Sequence, residues 1–317
     1  MLMNLQTKIP IKPQQPKIDY DAELLLLGSC FAENIGDKFE YFKFKTLVNP
    51  FGILFHPKAI ETFLWMATQQ EEYTETDLFY HNEQWHCFDA HSKLSHSDQG
   101  QLLQTLNKAL KNTCQKIQSA SHICITLGTA WVYRLQALDM VVANCHKVPQ
   151  KEFKKELLSV EDVGQCLQNS IGLIRSLNPN VKIIFTVSPV RHSKDGFVEN
   201  NQSKSHLIAA VHKTIAADNN CGYFPSYEIM MDELRDYRFY DTDMIHPSVM
   251  AIDYIWEYFK QTWISEEALK TMHRIQEIQN AMAHRPFNPD SEQHQLFLQK
   301  LELKKQQLEQ EYSFIKF

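Results

Sequence analysis

Leu24-Leu25-Leu26-Leu27-Gly28-Ser29-Cys30-Phe31-Ala32 decides the fold. Four consecutive leucines closed by a glycine are too short for a helix of their own and read as a strand buried on both faces of a parallel sheet. From Ala32 to Phe42, Ile35, Phe39 and Phe42 recur near helical spacing, with Glu33 and Asp37 near the start. Ser29 therefore sits on a strand-to-helix turn. In open α/β sheets ligands bind beyond the carboxyl ends of the strands, and a helix N-terminus offers free N–H groups there. A serine hydroxyl at that point is either a nucleophile or a simple N-cap, and taken alone the capping reading is the commoner one.

The rest of the chain alternates strands with helices. Thr46-Leu47-Val48 is a second short strand, followed by the turn Asn49-Pro50-Phe51-Gly52, whose glycine permits close backbone approach to a ligand or serves only the turn. Pro57 opens a helix to about Thr68. Residues 72–96 read as an inserted hairpin, Leu78–Tyr80 against Trp85–Phe88. Its His81, His86, Cys87, His91 and His96 are of metal-ligand type, but their spacing matches no zinc pattern. Residues 97–120 form an amphipathic helix, His122–Leu127 a strand ended by Gly128, and Trp131–Tyr133 with Asp139–Ala143 a second hairpin. A helix over 160–177, the strand 181–187, a helix over 201–218 and a short strand at Tyr223-Phe224-Pro225 complete the alternation. The expectation is a mostly parallel sheet with helices on both faces over residues 20–264. Residues 265–317 add two charged helices, 266–282 and 291–312, as a hairpin packed on that domain or as an exposed, partner-binding pair. Residues 8–20, rich in proline, are expected to run extended along the surface.

Bulk properties narrow the function. The chain has 317 residues and a formal net charge of −6 with both signs interspersed, so no basic field tracks a nucleic acid. No apolar run reaches the length of a membrane span, and Met1–Lys8 lacks the pattern of a signal peptide. Seven scattered cysteines suit reduced thiols in a cytoplasm. Oligomeric state is not readable.

The second informative stretch is Asp241-Thr242-Asp243-Met244-Ile245-His246-Pro247-Ser248, ahead of a helix rich in Ile252, Tyr254, Ile255, Trp256 and Phe259. A carboxylate three residues before a histidine can set the imidazole tautomer and stabilise the imidazolium. Such an imidazole can take the proton of a serine hydroxyl. An isolated D-x-x-H is ordinarily a turn cap beside a surface histidine; the case rests on its combination with Ser29 at one sheet edge.

Gly28-Ser29-Cys30-Phe31-Ala32 resembles the signature of the GSCFA family. Asn49-Pro50-Phe51-Gly52, Leu127-Gly128-Thr129-Ala130-Trp131, Asn144-Cys145-His146-Lys147, Ser188-Pro189-Val190-Arg191-His192 and Asp243–Ser248 resemble its further blocks, in order, over residues 20–260. That family looks like a branch of the SGNH, or GDSL-like, hydrolases. The resemblance implies a flavodoxin-like fold and a serine esterase or acyl hydrolase without metal or cofactor. Carried over by position, Ser29 is the nucleophile, His246 the general base and acid, and Asp243 its orienter, with the backbone N–H groups of Ser29 and Gly52 as oxyanion donors. One departure stands out: where SGNH enzymes carry G-x-N-D, this chain has Gly128-Thr129-Ala130-Trp131, so the donor asparagine is missing. Asn144 is the candidate substitute.

The leading expectation is hydrolysis of an O-acyl ester, an acetyl group on a carbohydrate being the first candidate. An acyltransferase would use the same three residues. Cys30, with its thiol at a helix N-terminus, is a second candidate nucleophile. A decayed, glycan-binding module is the non-enzymatic alternative, motivated by the missing asparagine.

Overall fold

A computed structural model describes residues 6–317, so Met1–Leu5 of the stretch examined for a signal peptide lie outside the described residues. The chain runs β1 (Glu23–Gly28), α1 (Cys30–Tyr41), β2 (Lys45–Val48), α2 (Pro57–Gln69), β3 (Leu78–His81), β4 (Gln84–Cys87), α3 (Gln99–Ser119), β5 (His122–Leu127), β6 (Trp131–Leu135), β7 (Met140–Val142) and β8 (Phe153–Leu157). It continues through α4 (Val160–Leu177), β9 (Lys182–Val187), α5 (Phe197–Ile215), β10 (Cys221–Tyr223), the single turn α6 (Ser226–Glu228), α7 (Val249–Trp263), α8 (Glu266–Ala283) and α9 (Glu292–Glu311).

Five strands form one parallel sheet in the order β10-β9-β5-β1-β2. Strand order reverses between β1 and β5, where doubly wound sheets open a crevice at their carboxyl edge. The leucines of β1 explain why it lies inside. Leu25 and Leu27 join a cluster with side chains of α2, α3, α4 and α5, and Leu24 and Leu26 join the opposite cluster with α1 and α7. Each fully buried leucine contributes roughly 1.5–3 kcal/mol, and alternation along the strand feeds both layers.

Two antiparallel additions sit beside the sheet. In β3–β4, Asn82 (φ 47°) and Glu83 (φ 62°) make a two-residue turn in the left-handed region. The second addition is a three-stranded sheet, β7-β6-β8, where the sequence shows only a hairpin. Its third strand, Phe-Lys-Lys-Glu-Leu, is an edge strand whose lysines face solvent, a charged pattern that carries little strand signal.

Other differences are local. Helix α5 starts at Phe197, four residues before the expected Asn201, because Gly196 (φ 106°) turns the chain at its N-cap. Strand β10 ends before Pro225, having started at Cys221. Residues 8–20 are not simply superficial: Ile18 is fully buried and its N–H donates to Trp263 O at 2.7 Å. Helices α8 and α9 place Ile275, Ile278, Leu301 and Leu308 in the same cluster as α1 and α7, and Arg274 pairs with Glu311 at 2.6 Å across them. Among the described residues no helix is long and apolar enough to cross a membrane.

Candidate active site

Gly28 closes β1 with φ 125°, and a Cβ there would collide with the Thr126 carbonyl, so only glycine fits. Its N–H donates to Asn49 Oδ1 at 2.8 Å. The turn leaves Ser29 at the N-cap position of α1, yet its hydroxyl makes no capping hydrogen bond. The side chain is fully buried and Oγ has no partner among the described residues. Ser29 thus holds the cap position by backbone alone, which removes the ordinary explanation for its hydroxyl.

The Asp243–His246 loop is built around the carboxylate. Asp243 Oδ1 accepts the N–H groups of Ile245 (2.8 Å) and His246 (2.9 Å), and Oδ2 lies 2.6 Å from His246 Nδ1. These bonds, the His246 N–H first, pull the Asp243 carboxyl down to about 2. Met244, at φ 58°, makes the tight turn possible. The loop is pinned by Asp241 N–H to His246 O (2.8 Å), by Arg191 N–H to Ile245 O (3.3 Å), and by Ser248, which caps α7 through Ala251 N–H. Both side chains are nearly half exposed.

His246 opens onto a cavity of about 490 Å³ at the carboxyl edge of the sheet, shared with Cys30, Asn144 and His192 and walled on the apolar side by Phe55 and Val190. Larger grooves of about 670 and 580 Å³ lie on helix surfaces, one against α1 and α7 and one between α2 and α4; neither touches the strand ends. Ser29 is fully buried and not on the cavity wall, although its neighbour Cys30 is, and no hydrogen bond joins it to His246. Cys30 does line the wall; burial, its largest influence, raises the thiol's pKa, and the Lys204 ammonium opposes that rise.

Two backbone donors implied by the family resemblance are already used. The Ser29 N–H donates to Thr126 O at 2.9 Å and the Gly52 N–H to Asn49 O at 2.7 Å. Gly52 (φ 70°) serves its own turn and is not on the cavity wall. Asn144 is on the wall, with Oδ1 accepting the His146 N–H at 2.8 Å.

Two residues not singled out individually from the sequence stand at the centre. Lys204 on α5 is fully buried, and its ammonium donates to Gly128 O and Ser188 O at 2.7 Å each, tying the ends of β5 and β9 together. Burial pulls it down to about 7. His192 packs edge-on against Phe55 at 5.6 Å, and its Nε2 is buried with no partner among the described residues. A methyl built on Gly128 would lie 3.2 Å from Ser29 Cβ and 3.3 Å from His192 Nε2, so the serine and this histidine both lie close to one α-carbon.

The histidines around the inserted hairpin are used structurally. His86 contacts Ser95 Oγ (2.6 Å) and His81 O (2.9 Å), and His146 Nε2 contacts Cys87 O at 2.8 Å. His56 Nδ1 caps α2 by accepting Ala59 N–H at 3.1 Å. Among the described residues no group of three or more His, Cys, Asp or Glu is placed to hold a metal ion.

No curated protein matches the chain. Among solved structures it is similar to the Clostridium thermocellum family 3 carbohydrate esterase, with 9% identity and a TM-score of 0.37, over 80% of this chain and 97% of that one. The profile of the GSCFA domain protein C-terminal domain matches residues 275–317, the end of α8 together with α9 and the tail. The GSCFA family profile spans residues 23–259, from the first residue of β1 into α7 and across every strand of the central sheet, and the chain belongs to the GSCFA family.

Proposed function

We propose that the protein is an esterase that cleaves a carboxylic ester through Ser29, His246 and Asp243. The observation that carries this reading is the 2.6 Å contact between Asp243 Oδ2 and His246 Nδ1, with His246 on the wall of a cavity that Cys30, the neighbour of Ser29, also lines. With Nδ1–H held by the carboxylate, Nε2 of neutral His246 is the basic nitrogen. It accepts the Ser29 proton as Oγ attacks the ester carbonyl. The tetrahedral intermediate expels the alcohol, which takes the proton back from His246, leaving an acyl-serine. Water, deprotonated by the same nitrogen, then attacks the acyl-serine; the carboxylic acid leaves and the proton returns to Ser29. An O-acetyl ester of a carbohydrate is the first substrate to try; transfer of the acyl group to a sugar hydroxyl would follow the same first half.

A second reading has Cys30 as nucleophile, favoured by its place on the cavity wall while Ser29 is covered. Against it, burial keeps the thiol protonated. Labelling with a fluorophosphonate, read by intact mass on wild type, Ser29→Ala and Cys30→Ala, separates the readings. One adduct that disappears only in Ser29→Ala is the expected result. An adduct lost only in Cys30→Ala would move the nucleophile, and no adduct on folded protein would leave a binding module.

A further inference from the structure

Ser29 Oγ and His192 Nε2 are both buried and, among the described residues, both lack a hydrogen-bond partner. Buried orphans of this kind are uncommon and call for a reason. Here the two flank the same α-carbon, that of Gly128. At the same place the site is short of donors. The Ser29 and Gly52 amides donate to protein carbonyls, and so do the Gly128 and Thr129 amides, both to Phe55 O at 2.8 and 3.0 Å. A tetrahedral oxyanion forming at Ser29 needs a donor that is preorganised and unspent.

We infer that His192 is that donor: in the esterase reading, on which this assignment rests, its neutral imidazole presents Nε2–H to the oxyanion formed at Ser29, in the role for which the sequence offered Asn144. The ring is held for the task. The His192 N–H donates to Asn200 Oδ1 at 3.0 Å, the ring edge rests on Phe55, and the Asp195 N–H returns to His192 O at 3.0 Å. The neighbouring Arg191 N–H bonds Ile245 O, which sets the His192 segment beside the His246 loop. The two histidines divide the work by environment. His246 has a carboxylate to stabilise its imidazolium. His192 has none; burial, then the Lys204 ammonium and His246, push it down to about 3. It cannot hold a proton taken from serine, but a neutral ring can donate one hydrogen bond to an anion. An anionic acceptor at Nε2 selects the Nε2–H tautomer.

The test is the rate of fluorophosphonate labelling of Ser29, measured against pH in wild type, His192→Phe and His192→Gln, with thermal melts of each. Phenylalanine keeps the ring packing on Phe55 and removes the N–H; glutamine restores an N–H at about the same reach. His192→Phe should label about 10²–10³-fold more slowly, His192→Gln should recover most of that loss, and the acid limb of the pH profile should stay as in wild type. A His192→Phe rate equal to wild type would overturn the assignment, as would faster labelling, the result expected if the ring only covers Ser29. If both variants are equally slow and the acid limb vanishes, His192 is the base and the assignment is wrong. Folded wild type that never labels at Ser29 would refute the esterase reading, and the assignment with it.

Discussion

Gly128→Ala tests the geometry at the centre of the site. The added methyl would stand 3.0 Å from Phe55 O, 3.2 Å from Ser29 Cβ and 3.3 Å from His192 Nε2. Ordinary carbon contacts are about 3.5–4.0 Å, so something must retreat by a few tenths of an ångström. Phe55 O is held by two amides and Ser29 by its bond to Thr126 O. Only the His192 imidazole has no hydrogen bond to lose from its Nε2, so it gives way. Overpacking of this kind costs roughly 1–3 kcal/mol. Because a misplacement of about 1 Å in a catalytic group can cost about 10²-fold, a shift of a few tenths should slow labelling of Ser29 by roughly 3–10-fold, beyond anything the stability loss explains. Labelling kinetics at 25 °C, paired with circular dichroism and a urea melt, measure both. A Gly128→Ala protein that is folded and labels within twofold of wild type would refute the placement of Ser29 and His192 at one reaction centre.

Asp243→Asn keeps Oδ1 for the Ile245 and His246 amides but offers the wrong partner to His246 Nδ1, so kcat on an ester substrate should fall by about 10³–10⁴ with an unchanged melt; retention of a tenth of the activity would count against the triad. Stability should also fall in mild acid. His56, His146 and His192 are held neutral by burial at about 4, 4 and 3, against 6.5 for a free histidine. Between those values the unfolded chain binds more protons, so the three histidines cost nothing above pH 6.5 and their cost grows as pH drops toward 4, by up to roughly 1.4 kcal/mol per pH unit for each histidine. Urea midpoints at pH 7.5 and 5 measure this; equal midpoints would contradict the buried, neutral assignments.

How much was legible in the sequence follows from what each segment buries. Strands lying inside the sheet carry mostly apolar runs, and helix α4 is legible to the residue because Ser159 and Asp162 cap each other's N–H groups. Strand β8 was hidden because its lysines face water and its pairing is non-local. Of the site, Ser29, Asp243 and His246 stand out by type and spacing, whereas a sequence does not show that neighbouring carbonyls occupy the Ser29 and Gly52 N–H groups. His192 lay in a stretch recognised only as a family block. Lys204 left a fainter signal, a lysine in register with Leu207, Val211 and Thr214 on the buried stripe of α5; a charge on such a stripe announces a buried ammonium with carbonyl partners.

The two apolar clusters also impose an order on biosynthesis. The face built by α2, α3, α4 and α5 has all its buried members by Cys221, whereas the face that carries α1 waits for Leu301, Leu308 and Ile315. The segment after α9 closes on early elements: Tyr312 meets the Tyr20 ring at 5.1 Å and Phe314 lies under the Lys45 ammonium at 4.5 Å. At translation rates of about 5–20 residues per second, one side of the sheet has its full complement roughly 5–20 s before the other. During that interval the cluster that holds Phe39, Phe42 and Phe44 is incomplete. A nascent chain stalled in that window presents a sticky half-sheet to chaperones, and a stop codon ahead of α8 makes that exposure permanent.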